Sequence, residues 1–324
     1  MSALDTIKNP IKNELKTFES YFSTIVKSDI SLLNLITKYM LKRKGKQMRP
    51  MFVFLTAHLF GNSNKATNNG AALIELMHTA TLIHDDVVDN SNQRRGFFSI
   101  NALWKNKIAV LLGDYLLSKG LLLAVDNENF DLLKIVSKAV EQMSEGELLQ
   151  IEKTRKLNIT EEIYFEIIKK KTAVLIAACT AVGAKSVGAS EQEIEQMWQM
   201  GENIGMAFQI KDDLFDFQLD NKTGKPAGND IQEKKMTLPL IQALKLADKN
   251  KAKQIKKIIN KKDKNQEDIQ LVVDFVNNSD GVKYATEKMN DFKNKALETI
   301  QAFPESTYKT SIIELINYTI SRKK

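Results

Sequence analysis

The chain of 324 residues has one cysteine, Cys179, so no internal disulfide can form and a reducing compartment suits it. Cys179 lies in the small-residue run Ala177-Ala178-Cys179-Thr180-Ala181 and reads as a packed helix residue, not a nucleophile. Only three histidines accompany it, and no Cys/His pattern with zinc-ligand spacing exists. Prolines number five, at 10, 50, 226, 239 and 304, and glycines 14, which leaves long stretches free of helix breakers. The N-terminal MSALDTIKNPIKNELK has no apolar h-region, which excludes a secretory signal. No stretch approaches 18 uninterrupted apolar residues, so no transmembrane helix is indicated and a cytoplasmic location is expected. Alternating strand signatures, hairpin dipeptides, solenoid-length repeats and Gly/Ser-rich linkers are scarce or missing. These absences leave a single all-α domain, residues 1–324, with roughly ten or more helices.

What is present is helical apolar periodicity. Residues 71–84 and 108–125 read as strongly apolar helices, the second apolar nearly all round and so central. The pattern continues over 132–152, 161–183, 191–218 and 236–247, with loops signalled at 61–69, 90–99, 184–190 and 219–231. The net charge of +7 fits a nucleic acid, an anionic membrane surface or an anionic substrate. No nucleic-acid module and little aromatic–basic interleaving accompany it. The lysine-rich segment 249–265 reads as a solvated helix and loop; a weak peripheral membrane contact is the sharper alternative.

Two acid clusters carry the chemistry. In His84-Asp85-Asp86-Val87-Val88-Asp89, Asp85 and Asp89 are four apart and share a helix face, with Asp86 beside them. Asp212, Asp213 and Asp216 repeat the spacing in KDDLFDF. Both clusters end apolar helices, where aspartate opposes the macrodipole. Bunched carboxylates repel, and a hard divalent cation relieves that repulsion; magnesium characteristically uses one or two carboxylates plus substrate phosphates. Two such helices facing a cavity would hold magnesium ions and a diphosphate.

A diphosphate also calls for cations from the protein. Lys46 and Arg49 stand in GKQMRP, Arg94 and Arg95 follow the first acid cluster, Lys171 and Thr172 close a basic helical stretch, and Lys225 and Lys235 follow the second cluster. Arginine suits bidentate contact with phosphate oxygens. His78 lies seven residues before Asp85, two helical turns away on about the same face. His84 serves a hydrogen bond as readily as chemistry, and His58 sits in an apolar stretch.

With GKQMRP at 45–50, HDDVVD at 84–89, RRG at 94–96, GDYLLS at 113–118, KT at 171–172, FQIKDDLFD at 208–216, GKPAGND at 224–230 and KKMTLP at 234–239, the chain resembles the trans-type polyprenyl diphosphate synthases. The family includes farnesyl, geranylgeranyl and octaprenyl diphosphate synthases. The resemblance implies an all-α isoprenoid-synthase bundle around a central cavity, prenyl transfer from an allylic diphosphate to isopentenyl diphosphate, and a homodimer. It implies that Lys46, Arg49, His78 and Arg95 bind the diphosphate of isopentenyl diphosphate. Arg94, Lys171, Thr172, Gln209, Lys225 and Lys235 would face the allylic diphosphate. Asp85, Asp89 and Asp212 would ligate about three magnesium ions, with manganese as a substitute. Asp86, Asp213 and Asp216 would be further ligands or acceptors for bound water and Lys225. Two departures stand out: Lys44-Gly45-Lys46 replaces the usual Gly-Gly-Lys, and Glu233-Lys234-Lys235 replaces Glu-Gly-Lys.

Three rivals are weaker. A class I terpene cyclase usually carries a different second metal motif, a silent partner subunit loses acid-cluster residues, and a nucleic-acid binder rests on charge alone. Product length turns on Ala80 and Thr81, one turn below the first acid cluster. Short-chain relatives have a bulky aromatic there, and many bacterial ones a two-residue insertion in the motif. Their absence implies a long all-trans product of about C30–C40, as a quinone side chain requires, with a short-chain (C15–C20) synthase as the alternative. Met77, Leu73, Ile74 or the 108–125 helix would form the floor.

Overall fold

The computed structural model describes residues 3–42, 45–94, 96–154, 159–217 and 228–321. These residues are helical nearly throughout, as expected, and their only sheet is a two-stranded hairpin, Gln93–Arg94 against Phe97–Phe98. Contacts group the chain into two compact units. One comprises Met1–Val140, Ala178–Trp198 and Phe303–Ile312; the other comprises Glu141–Ala177, Gln199–Ala302 and Ile313–Lys324.

In the first unit the Met48–Phe60 helix is apolar on every side and buried from Pro50 to Ala57, which makes it a core element. The Lys65–Val88 helix is longer than the 71–84 expected from apolar periodicity. Its polar first turns look like loop, but Asn64 and Thr67 form a reciprocal capping box there. Thr67 and Asn69 are buried with partners: the Thr67 hydroxyl meets that of Ser186 at 2.8 Å, and Asn69 bonds Tyr21 and Asn129 at 2.6 and 2.8 Å. Paired polar groups can be buried at little penalty, so the expected loop at 61–69 shrinks to four residues ending at Asn64.

The Ile100–Asp126 helix starts at Ser99, whose hydroxyl accepts from Ala102 N at 3.4 Å. Lys105, at φ 68° and ψ 163°, interrupts its helical run. By length and composition this helix could cross a membrane, although charged residues interrupt every long apolar run. Its composition has another use: one side packs in the core through Leu112 and Leu116, while Val110, Leu111, Leu121, Leu122 and Val125 remain exposed.

The expected 161–183 helix is Glu161–Ile168, one π-turn at Lys169–Ala173, and Val174–Ser186, and its residues up to Ala177 belong to the second unit. Two glycines press on the π-turn. A Cβ on Gly146 would lie 2.8 Å from Lys171 N, and one on Gly205 would lie 2.4 Å from Ala173 Cα. A π-turn widens the backbone by one residue and recurs at functional sites; this one carries Lys171 and Thr172. The lysine-rich Lys249–Asn260 helix buries Ile255, Ile258 and Ile259 and leaves most of its lysines in solvent, as expected.

The Glu-Lys-Lys departure has a conformational consequence. Lys234 sits at φ 60°, in the left-handed region that glycine occupies without strain. Its ammonium donates to the Asn260 carbonyl at 2.9 Å in an exposed setting, a small compensation. Lys234→Gly is expected to raise stability by about 0.5–1 kcal/mol, the relief of strain outweighing the added freedom of the unfolded chain. Chemical denaturation checks it, and a lower midpoint for the glycine variant would contradict the strain argument.

Candidate active site

The first acid cluster occupies the last turn of the Lys65–Val88 helix. Asp85 is part-buried, Asp86 is 4% exposed, and Asp89 is the exposed C-cap residue whose N–H donates to the Asp85 carbonyl at 2.8 Å. The chain is held beyond the helix end at Asp86, whose carbonyl accepts from Asn101 Nδ2 at 3.1 Å and Ser91 N at 2.9 Å. His78 is buried two turns earlier on the same helix. His84 bonds elsewhere, 3.3 Å from the Val110 carbonyl and 3.6 Å from Asp114. The third histidine, His58, is buried against Glu14 at 2.9 Å. Lys46 is exposed just before the Met48–Phe60 helix, and Arg49, in its first turn, meets Glu75 of the acid-cluster helix at 3.4 Å. Arg94 begins the hairpin after the cluster. The Arg94 side chain, Arg95, Lys225 and the tail from Arg322 lie outside the described residues.

Between the first cluster and the opposite end of its helix stand the product-length candidates. Ala80 is fully buried and Met77 nearly so. Thr81 is part-exposed; its hydroxyl donates back to the His78 carbonyl at 2.9 Å, which leaves its methyl as the surface on offer. Gly120 lies against Leu73, Leu76 and Met77, so these are packed at the level below Ala80.

The second acid cluster ends the Glu191–Phe215 helix, and here the geometry is dense. Asp213 is buried with both carboxylate oxygens held: Tyr164 donates to Oδ2 at 2.7 Å and Gln209 Nε2 donates to Oδ1 at 2.8 Å. Gln209 Oε1 in turn accepts from the Thr172 hydroxyl at 2.8 Å. The structure thus links Thr172 and Gln209, which the resemblance already grouped, to Asp213 and adds Tyr164, which the sequence did not single out. Tyr164 lies seven residues before Lys171, the only hint the sequence offers. Asp216 is buried and accepts from Asn229 N at 2.9 Å and Asp230 N at 3.0 Å, capping the short Asn229–Gln232 helix. Asp212 stays part-exposed on the last helical turn.

A cavity of about 120 Å³ is lined by Tyr164, Lys171, Thr172, Asp213, Asp230 and Lys235, among others. Lys235 pairs with Glu233 at 2.5 Å and lies 3.7 Å from Asp230. Burial alone would lower its pKa, but these acids and Asp213 raise it. Lys171 is engaged by Glu147 and, at 3.4 Å, by Gln150. The carboxylates are under electrostatic load. Burial, then repulsion from Asp230, pushes Asp213 up to about 7 against the hydrogen bonds from Tyr164 and Gln209. The same two causes push Asp216 to about 6 despite three backbone N–H donors.

Among the described residues no three of His, Cys, Asp and Glu form a ready-made metal centre. The donors that the two acid clusters offer are carboxylate oxygens, which fit a hard cation that completes its shell with water and substrate phosphate.

Comparison with known proteins agrees with this chemistry. The polyprenyl synthetase family model matches residues 30–276. An all-trans-nonaprenyl-diphosphate synthase (geranyl-diphosphate specific) of Rhodobacter capsulatus is 35% identical over 315 residues, covering 97% of this chain and 96% of that protein. The crystal structure of a polyprenyl synthase from Caulobacter crescentus CB15, complexed with calcium and isoprenyl diphosphate, superposes with TM-score 0.91 at 30% identity, covering 99% and 98% of the two chains. A geranylgeranyl pyrophosphate synthase from Bacteroides thetaiotaomicron matches with TM-score 0.85 at 35% identity over 99% of this chain and 100% of that one. Two acid clusters at helix ends, a lysine and threonine on a π-turn, and matches of this length lead to one conclusion: the chain belongs to the polyprenyl synthetase family and is a prenyl transferase.

Proposed function

We propose that the enzyme condenses an allylic diphosphate with isopentenyl diphosphate head to tail and repeats the step to an all-trans product of about C30–C40, the length a quinone side chain needs. The observation that carries this reading is the linked group Thr172–Gln209–Asp213 beside Lys171, an anion-binding and cation-binding set on one scaffold. In this reading Lys46, Arg49, His78 and Arg95 hold the diphosphate of isopentenyl diphosphate. Arg94, Lys171, Thr172, Gln209, Lys225 and Lys235 receive the allylic diphosphate. Asp85, Asp89 and Asp212 hold about three magnesium ions, and the calcium in the Caulobacter relative supports a hard divalent cation in this role. Bound there, magnesium supplies charge stabilisation for the departing diphosphate. The basic side chains add to it as the allylic C–O bond ionises. The double bond of isopentenyl diphosphate then attacks the allylic cation, and the released diphosphate takes the proton that restores an allylic product. The apolar helices Lys65–Val88 and Ile100–Asp126 are suited to keeping water from the cation.

The long product is supported by the small residues at 80 and 81 and by the nonaprenyl synthase relative. The geranylgeranyl synthase likeness favours a C20 product as the second reading. Incubation with farnesyl and isopentenyl diphosphates and magnesium, followed by product sizing, decides between them; no incorporation would overturn the proposal. Thr81→Phe is expected to shorten the product by at least one C5 unit, because the new ring projects from the part-exposed side one turn below Asp85. Ala80→Phe is expected to do the same with loss of stability, since Ala80 is fully buried and an extra ring there overpacks the core. Unchanged chromatographic product length in both variants would contradict the tunnel reading.

The active form we propose is a cytoplasmic homodimer with one synthase domain per chain. The apolar stripe Val110, Leu111, Leu121, Leu122 and Val125 supports this, being a surface that a second copy would cover.

A further inference from the structure

Tyr164 has no part in the roles described so far, yet its hydroxyl is committed to a carboxylate of the second acid cluster. It is 4% exposed, in the middle of the Glu161–Ile168 helix, which starts at a Thr160 cap. Its hydroxyl lies 2.7 Å from Asp213 Oδ2. The bonds run in sequence: Thr172 donates to Gln209, Gln209 donates to Asp213, and Tyr164 donates to the remaining oxygen of Asp213. A carboxylate gripped at one oxygen by a flexible amide can still rotate about χ2. Gripped at both, from two different helices, it cannot. The orientation of the Gln209 amide follows, because its oxygen must face the Thr172 hydroxyl and its nitrogen the aspartate.

We propose that Tyr164 is a positioning residue for prenyl transfer. It fixes the Asp213 carboxylate and, through Gln209, the direction in which Thr172 and the neighbouring turn of Lys171 present themselves to the allylic diphosphate. Tyr164 touches no reacting atom; it acts through Asp213. The inference rests on the assignment of Thr172, Gln209 and Asp213 to the diphosphate and metal site made above. It adds that this set is held ready before substrate arrives, by a tyrosine on the same helical segment that leads into the π-turn. Preorganisation of this kind lowers the reorganisation required at the moment of ionisation.

Tyr164→Phe keeps the ring and removes the donor. In the full-length enzyme, with farnesyl and isopentenyl diphosphates as substrates, it is expected to lower kcat about 10–100-fold and to raise the magnesium concentration for half-maximal activity. KM for isopentenyl diphosphate should stay within about twofold. Tyr164→His retains a ring N–H donor and is expected to recover part of the loss. In an Asp213→Ala background, Tyr164→Phe should add no further loss, because the group it orients is gone. An unchanged kcat and magnesium response in Tyr164→Phe would overturn the proposal, and so would losses that multiply independently in the double variant. An inactive wild-type enzyme would instead refute the underlying assignment, so the two failures are separable.

Discussion

Replacing Asp85 or Asp212 by alanine is expected to lower incorporation of labelled isopentenyl diphosphate by about a thousandfold or more, equivalent to at least about 4 kcal/mol of lost transition-state stabilisation. Each aspartate is part-exposed on the last turn of a helix, where its charge opposes the macrodipole. Alanine is the better helix former there, so thermal stability should hold or rise slightly. Activity and stability thus move in opposite directions, and that divergence is what marks an acid retained for a ligand. An acid retained for structure would lose both. Near-normal incorporation in both variants would defeat the assignment of the clusters to the diphosphate-bound metal.

The second large effect concerns Gly205. An added methyl would sit 2.4 Å from Ala173 Cα and 3.1 Å from Ala173 O, which is backbone and cannot swing aside as a side-chain end could. Gly205→Ala should therefore push the π-turn away from the Glu191–Phe215 helix. Overpacking of this sort typically costs about 1–3 kcal/mol, which lowers the melting temperature by several degrees. Activity should fall by more than stability explains, because Thr172 sits next to Ala173 and its 2.8 Å bond to Gln209 spans the same gap. The expected signature is a raised KM for the allylic substrate in enzyme that is still folded, measured well below the new melting temperature. A variant that keeps wild-type stability and KM would show that the close approach is not required.

The sequence made the helical architecture legible because apolar period and turn residues agree over most of the chain. It failed where polar groups are paired through space. Lys65 to Asn69 look like loop, since the partners of Thr67 and Asn69 come from distant segments, Ser186 among them. The π-turn was invisible for a related reason: nothing local in Lys169–Ala173 demands it, and the glycines that shape it are about 25 and 35 residues away. Within the site the acid clusters could be read directly, because spacing and charge are local properties. The resemblance already put Thr172 and Gln209 together; their bond to each other, the link to Asp213 and the part played by Tyr164 needed the structure. The different fates of Asp213 and Asp216, one gripped by side chains and the other spent on capping a helix, also needed the structure.

That cap sets a clock. A four-residue helix cannot protect its own first amides, and Asn229 and Asp230 point theirs at Asp216 instead, while Gly228 N bonds the Asp216 carbonyl at 3.1 Å. Three successive backbone amides are therefore expected to exchange with solvent together, when Asp216 releases them. Local opening of this segment, which leads to Lys235, should then coincide with release of the last residue of the second acid cluster, and amide exchange at one common rate would show it.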